Sequence, residues 1–304
     1  MKKNLIFCNI ALTIVLSACG GGGGSGSNSM SSNTGNVIEV QSFPASSTLN
    51  DVRHMVYSDA DKSLYIVSHC NHSIVQVSPL DNASPITYTT IANSSWIQTV
   101  YGVAIQGSSV YLSGTRNGDG AIYALDSNNT KVATCVSGSC NVYGVADNNT
   151  YLAYVDQNSI YVNQVPNPST PITVTEVPTG LAFNNNLLYV TRNLATATGT
   201  SGEVLNSTNA AIQKLDVANN SITNFAFSTL FNHPNAITVD PNTGKLYVAN
   251  DGDKNILVVS ADGTQVQVHL DASLHGGCQP RGLAVGAGHL YVGCQSGEIL
   301  QVTL

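Results

Sequence analysis

His233-Pro234-Asn235-Ala236-Ile237-Thr238-Val239-Asp240-Pro241-Asn242-Thr243-Gly244-Lys245-Leu246-Tyr247-Val248-Ala249-Asn250-Asp251 decides the reading of this chain. An apolar run meets a turn built from Asp, Pro, Asn and Gly, and a second apolar run carrying Tyr and Val follows. Val, Ile, Tyr and Thr favour half-buried strands, and the intervening residues are turn formers. The unit recurs as Gly102-Val103-Ala104 with Val110-Tyr111-Leu112, and as Gly144-Val145-Ala146 with Tyr154-Val155. It returns as Gly180-Leu181-Ala182 with Leu188-Tyr189-Val190, and as Gly282-Leu283-Ala284 with Leu290-Tyr291-Val292. His54-Met55-Val56 with Leu64-Tyr65-Ile66 is a degenerate first copy.

Further β-type runs follow each copy. Third strands are expected at Ser73–Val77, Ala121–Leu125, Ser159–Val162, Ala211–Leu215 and Ile256–Val259. Fourth strands include Ile86–Thr90, Ile172–Thr175 and Val266–Leu270. No stretch shows helical periodicity. Four-stranded units repeating at this spacing imply an all-β, six-bladed β-propeller over 37–304; a seven-bladed ring is the structural alternative. The last blade is one strand short, with runs at Arg281–Val285, His289–Cys294 and Glu298–Leu304. The stretch from Val37 to Phe43 is available to complete it and close the ring.

The repeat resembles the NHL and YVTN families of propellers, most closely at 233–251 and next at Gln279-Pro280-Arg281-Gly282-Leu283-Ala284. It is distantly similar to the wider superfamily of SMP-30 and gluconolactonase enzymes. That likeness implies a divalent metal held by Glu, Asn and Asp from different blades. Asn235 matches the Asn, and Asp251 stands near the later acid. The first-blade Glu has no counterpart, because Asp51, Arg53 and His54 occupy its neighbourhood. Hard cations want several oxygen ligands, so no metal ligand set and no cofactor is assigned; a divalent metal belongs only to a lactonase-like hydrolase reading. The catalytic residues of such an enzyme are unassigned. His69-Cys70-Asn71-His72 is too tightly spaced for a recognised zinc motif.

At the amino terminus, Lys2 and Lys3 precede an apolar run from Leu5 to Leu16. That run is too short to span a bilayer and reads as a signal peptide over 1–18. Leu16-Ser17-Ala18-Cys19 resembles the lipobox of bacterial lipoproteins, which implies a lipidated Cys19. Residues 19–36 then form a Gly/Ser-rich tether, with roughly 20–25 Å of reach from Gly20 to Asn36. Gly20 after the cysteine, with no retention Asp, implies the outer membrane under enterobacterial-type sorting. The lipid anchor makes the membrane a partner. The net charge of −7 argues against nucleic acid, and a monomer is expected.

Propeller topology lines the channel with first strands. Arg53, Tyr101, Tyr143, Thr179, Asn235 and Arg281 then fall at equivalent positions around one mouth. The second-to-third connections on that face carry His69, His72, Arg116, Arg192, Asn250 and Asp251. All four arginines map there, while Lys62 and Lys245 fall on the opposite face. Guanidinium forks suit carboxylate and phosphate. The candidate ligand-binding set is Arg53, His54, His69, His72, Tyr101, Arg116, Tyr143, Arg192, Asn235, Asp251 and Arg281. Its ligand is a small anionic or sugar-like molecule, or an envelope protein presenting an acidic peptide. The competing reading is that Arg53 and Arg281 pair with loop carboxylates such as Asp51 and Asp251. A binding module is favoured over an enzyme. The blade-four insertion Leu194–Asn209 reads as a mobile loop on the same face. An oxidising compartment favours disulfides Cys135–Cys140 and Cys278–Cys294, leaving Cys70 free; Cys70, on the neighbouring blade and the same face, is a competitor for either of the latter two, and buried thiols are the alternative.

Overall fold

A computed structural model describes residues 38–304, apart from 45, 79, 81–84, 94, 127–130, 135–143, 157–158, 165–171, 174–177 and 193–210. The expectations for the signal peptide, Cys19, the tether, Tyr143, Cys135–Cys140 and the blade-four insertion lie outside the described residues. The described fold occupies the unit Glu39–Leu304. Six four-stranded antiparallel sheets make a six-bladed β-propeller.

Blade 1 consists of β2 (Val52–Ser58), β3 (Ser63–Ser68), β4 (Ser73–Ser78) and β5 (Thr87–Ala92). Blade 2 is β6 (Thr99–Gln106), β7 (Ser109–Arg116), β8 (Asp119–Ala124) and β9 (Lys131–Thr134). Blade 3 is β10 (Val145–Asp147), β11 (Tyr151–Asp156), β12 (Ser159–Gln164) and β13 (Ile172–Thr173). Blade 4 is β14 (Pro178–Asn184), β15 (Leu187–Arg192), β16 (Ile212–Asp216) and β17 (Ser221–Ala226). Blade 5 is β18 (Pro234–Val239), β19 (Leu246–Asn250), β20 (Asn255–Val259) and β21 (Val266–Asp271). Blade 6 is β22 (Pro280–Gly286), β23 (His289–Cys294), β24 (Ile299–Thr303) and β1 (Val40–Ser42).

β1 pairs antiparallel with β24, in the register Val40 to Val302 and Ser42 to Leu300. The amino-terminal strand therefore supplies the outer edge of the last blade, as the strand count requires. First strands touch in the cyclic order β2, β6, β10, β14, β18, β22 and back to β2. Helical structure among the described residues is confined to two short 3-10 turns, Asp251–Asp253 and Ala272–Leu274.

The apolar runs follow from packing on both faces. In β19, Leu246 and Val248 join the cluster against blade 4, while Tyr247 and Ala249 join the cluster against blade 6. Alternate side chains thus serve alternate interfaces, so the strand reads as almost continuously apolar. Each of the six blade interfaces owns one such cluster among the described residues. The blades also sit close at their inner ends. A Cβ on Gly180 would lie 2.5 Å from the Asn235 carbonyl oxygen of the next blade. Glycine is the residue that permits that approach.

The Cys278–Cys294 disulfide joins the start of β22 to the end of β23. Cys70 is also disulfide-bonded, which corrects the expectation of a free thiol. Its partner lies outside the described residues.

Candidate functional site at the channel mouth

The mouth is built by a repeated backbone irregularity. The register of β2 against β3 jumps from Val52 to His54, so Arg53 is the extra residue. The same jump leaves out Tyr101 in β6, Thr179 in β14 and Arg281 in β22. In β18 it spans Asn235 and Ala236. A β-bulge takes one residue out of the ladder and re-aims its side chain. Five first strands therefore turn an equivalent side chain off the sheet at the same level. Arg53, Tyr101, Thr179, Asn235 and Arg281 converge there with His233, Pro234 and Asp251 around a cavity of about 260 Å³.

Asp51 organises the cationic side of this cavity. Its backbone takes φ of 54°, a left-handed conformation. Its N–H donates to the Gln295 carbonyl at 3.0 Å, and its carbonyl accepts from the His69 N–H at 3.0 Å. Thus fixed, its carboxylate accepts from Arg53 Nε at 2.8 Å and from Arg281 Nη1 at 2.9 Å. Arg281 Nε lies 3.6 Å from Asp251 Oδ2. The pairing of these arginines with loop carboxylates, one of the two sequence readings, is thus present.

Pairing does not hide the charge evenly. The formal charges of Arg53, Arg281, Asp51 and Asp251 cancel, but the Asp51 side chain is only 5% exposed while that of Arg53 is 37% exposed. Solvent at the mouth meets guanidinium before carboxylate. Arg53 spends Nε on Asp51, and both its Nη groups lack a hydrogen-bond partner among the described residues. The remaining fork is the geometry that grips a carboxylate or phosphate in bidentate fashion.

The other residues of the candidate set lie elsewhere. His69 packs its ring against Tyr101 at 5.6 Å, and its Nδ1 lies 3.0 Å from the Val100 carbonyl oxygen. Burial, and then the charge of Arg53, hold its imidazole below the usual range. His72 sits behind His69, with ring centroids 6.2 Å apart, and burial lowers it too. Arg116 stacks over Trp96 at 5.6 Å and does not line the cavity. Arg192 is buried at the end of β15, against the connection to β16. His54 occupies the ladder position after the bulge, where β6, β14 and β22 have Gly102, Gly180 and Gly282. Its side chain turns toward blade 2, and its Nδ1 accepts from the Val103 N–H at 3.4 Å.

His54 instead lines a second cavity, of about 180 Å³, along the channel axis. Leu181, Ile237, Leu283 and Val285 contribute apolar walls, and Asp147 is its carboxylate. Burial pushes the His54 imidazole down to about 4 and the Asp147 carboxyl up to about 6. Both effects follow from a low-dielectric wall that disfavours charge.

Thr179 and His233 belong to the mouth, although the sequence reading kept them out of the candidate set. Thr179 Oγ1 donates to the Pro234 carbonyl at 2.9 Å and ties blade 4 to blade 5. Equivalence to Arg53 and Arg281 was the signal for Thr179.

The mouth does not fit the divalent cation that the gluconolactonase likeness implies. Asp251 faces a guanidinium, as does Asp51, so a cation there meets positive charge already in place. Among the described residues no three His, Cys, Asp or Glu side chains group as metal ligands.

No family model matches the chain, and no curated protein matches it. Solved structures do share its fold. A gluconolactonase from Xanthomonas campestris is similar over 84% of this chain and 87% of its own, with 13% identity and a TM-score of 0.63. A streptogramin B lyase covers 88% of this chain and 98% of its own, with 13% identity and a TM-score of 0.63. The PQQ-bound aldose sugar dehydrogenase from Streptomyces coelicolor covers the same shares, with 15% identity and a TM-score of 0.63. At such identities the likeness is one of fold, a propeller framework shared by proteins of different activities.

Proposed function

We propose that this chain is a lipid-anchored binding or interaction module of the bacterial cell envelope, and that its ligand is an anionic or sugar-like group held in the channel mouth. One observation carries the reading. Equivalent bulges direct Arg53, Tyr101, Thr179, Asn235 and Arg281 into one cavity, where the Arg53 fork is uncommitted. Hydrogen-bonding side chains around a concave site, with the Arg53 guanidinium its most exposed charge, suit recognition of a small polar group. The position of β1 agrees with anchoring. Val40, which follows the expected tether in sequence, pairs with Val302 at the end of the sheets opposite Arg53.

Isothermal titration of the full chain with small carboxylates, phosphates and sugars tests the reading. The expected result is saturable binding without turnover, weakened at least tenfold by combining Arg53→Ala with Arg281→Ala. Binding that survives the double change places the ligand elsewhere. Metabolic labelling with palmitate, lost on Cys19→Ser, tests the anchor.

The alternative is a lactonase-like hydrolase. The gluconolactonase framework supports it, as do Asn235 and Asp251 in the cavity. That reading requires turnover that stops on chelation. The guanidiniums beside Asp51 and Asp251 count against it.

A further inference from the structure

The mouth face carries an apolar sector that a small anion would leave unused. Two connections feed the cavity wall from its blade 5 and blade 6 side. The first runs from the end of β17 to β18 and delivers His233, Pro234 and Asn235 to the cavity. On the way it exposes Phe227 and Leu230. The second runs from the end of β21 to β22 and delivers Arg281. It exposes Leu274, whose surface is 78% accessible. Among the described residues, these are three of the six large apolar side chains left in solvent. Of the others, Leu304 lies on the opposite face, where its N–H donates to the Gly288 carbonyl, and Val268 lies on an outer strand.

Phe227, Leu230 and Leu274 lie on the two connections that lead to the polar cavity, and each offers apolar contact to a ligand long enough to reach out of it. Its chemistry specifies the occupant. The cavity offers the Arg53 fork to one planar anion, and about 260 Å³ admits one side chain or chain end. The rim offers apolar contact outward from that point. An extended segment advances roughly 3.3 Å per residue, so four to six residues reach from the cavity across a neighbouring connection.

We infer that the mouth recognises an extended acidic peptide of a protein partner, which seats one carboxylate against Arg53 and lays flanking apolar side chains on Phe227, Leu230 and Leu274. This rests on the mouth being the binding site, and it adds the partner class and the footprint. Charge complementarity selects the peptide. The carboxylate is the side chain of an Asp or Glu, or the chain's own terminus. Both present the same planar oxygens to the fork. An anionic bilayer shares the charge but not the fit. Its headgroups form a plane, whereas the fork lies at the wall of a cavity, and β1 enters on the opposite face.

The test uses the immobilised full chain and a synthetic pool of octapeptides, made with free and with amidated termini. Bound peptides are sequenced and their affinities measured. Enrichment of Asp or Glu next to Leu or Phe is expected, with loss on terminal amidation if the chain end is the source. Affinity is expected to fall at least tenfold on Arg53→Ala and about fivefold on combining Phe227→Ser with Leu274→Ser. Lys62→Ala on the opposite face should change nothing. Arg53→Lys, which keeps the charge and loses the fork, should weaken binding nearly as much with an unchanged melting temperature. Peptides bound without a carboxylate preference, or binding that survives Arg53→Ala, would overturn the inference. So would phosphatidylglycerol vesicles that bind through Leu274 while peptides do not. If N-acetylaspartate N-methylamide binds through Arg53 as tightly as the best peptide, the peptide footprint fails and the mouth site stands. If neither that amide nor any peptide binds, both fail.

Discussion

Replacing Asp51 by Asn removes one negative charge and little else. The backbone there is left-handed, and Asn is among the residues that tolerate this. The cost can be worked from its two partners. Arg53 is over a third exposed, so its ion pair contributes only about 0–1 kcal/mol. Arg281 is mostly buried, and its charge-assisted hydrogen bond contributes about 1.5–3 kcal/mol. Asp251 at 3.6 Å still faces Arg281, which spares the variant the larger penalty of a wholly unpaired buried charge. The expected loss is therefore about 2–3 kcal/mol. At about 2–4 °C per kcal/mol for a domain of this size, the melting temperature should fall by roughly 5–10 °C. Scanning calorimetry at neutral pH measures it. Because Asp51 joins blade 1 to an arginine 230 positions away, the change should also couple to Arg281→Met. A coupling energy of about 1–2 kcal/mol is expected in the double-mutant cycle. A melting temperature within about 1 °C of the parent, or strict additivity with Arg281→Met, would refute the claim that Asp51 holds the mouth and the ring together.

Replacing Cys278 and Cys294 by Ala opens a loop with a sequence separation of 16, so about 3 kcal/mol should be lost, read as a lower denaturant midpoint. Gly180→Ala should cost about 2–4 kcal/mol, because its Cβ would meet the Asn235 carbonyl oxygen at 2.5 Å; an unchanged midpoint would mean the blades are looser than described. The two titrating groups of the axial cavity should act with opposite sign. His54 has a folded pKa of about 4, below its unfolded value, so the unfolded chain binds more protons between about 6.5 and 4. Stability is therefore lost as pH falls through that window, by about 3 kcal/mol, and His54→Gln should remove most of that slope. Asp147 has a folded pKa raised to about 6, so the folded chain binds more protons between about 6 and 3.8. Asp147 therefore adds stability as pH falls, by about 1–2 kcal/mol after allowance for its partial exposure, and Asp147→Asn should steepen acid unfolding. Urea midpoints from pH 7 to pH 4 test both, and slopes of the reverse sign would contradict the placement of these groups.

The sheets and their closure were legible because they rest on period and spacing. Alternation within Leu246–Ala249 and a recurring turn define a blade, and counting strands exposes the gap that β1 fills. The Cys278–Cys294 bridge followed from antiparallel pairing of β22 with β23. The bulges were not legible. A residue displaced from the ladder leaves no mark in side-chain periodicity, since its neighbours resume the pattern at once. Nor could the sequence decide whether Arg53 and Arg281 bind a ligand or Asp51, because the second pairing spans 230 positions. Arg192 and His54 were placed at the mouth by blade equivalence, which fixes level along the axis but not direction. His54 turns toward blade 2 and Arg192 is buried at the end of its strand.

The bulge also bears on why the mouth is the site proposed for function. One position further along three of the first strands, packing dictates the residue. Gly102, Gly180 and Gly282 would each place a Cβ within 3.0 Å of another side chain or of the neighbouring backbone. No such rule binds the bulged position. Its side chain leaves the ladder for the channel, and the blades hold Arg, Tyr, Thr, Asn and Arg there. These differ widely in volume, so close packing does not select them. They share something packing does not require: each carries a hydrogen-bonding group, and none is aliphatic. Polar side chains in a place where packing is indifferent are what a recognition surface requires, and in the function proposed above the Arg53 fork is the group that would select a carboxylate.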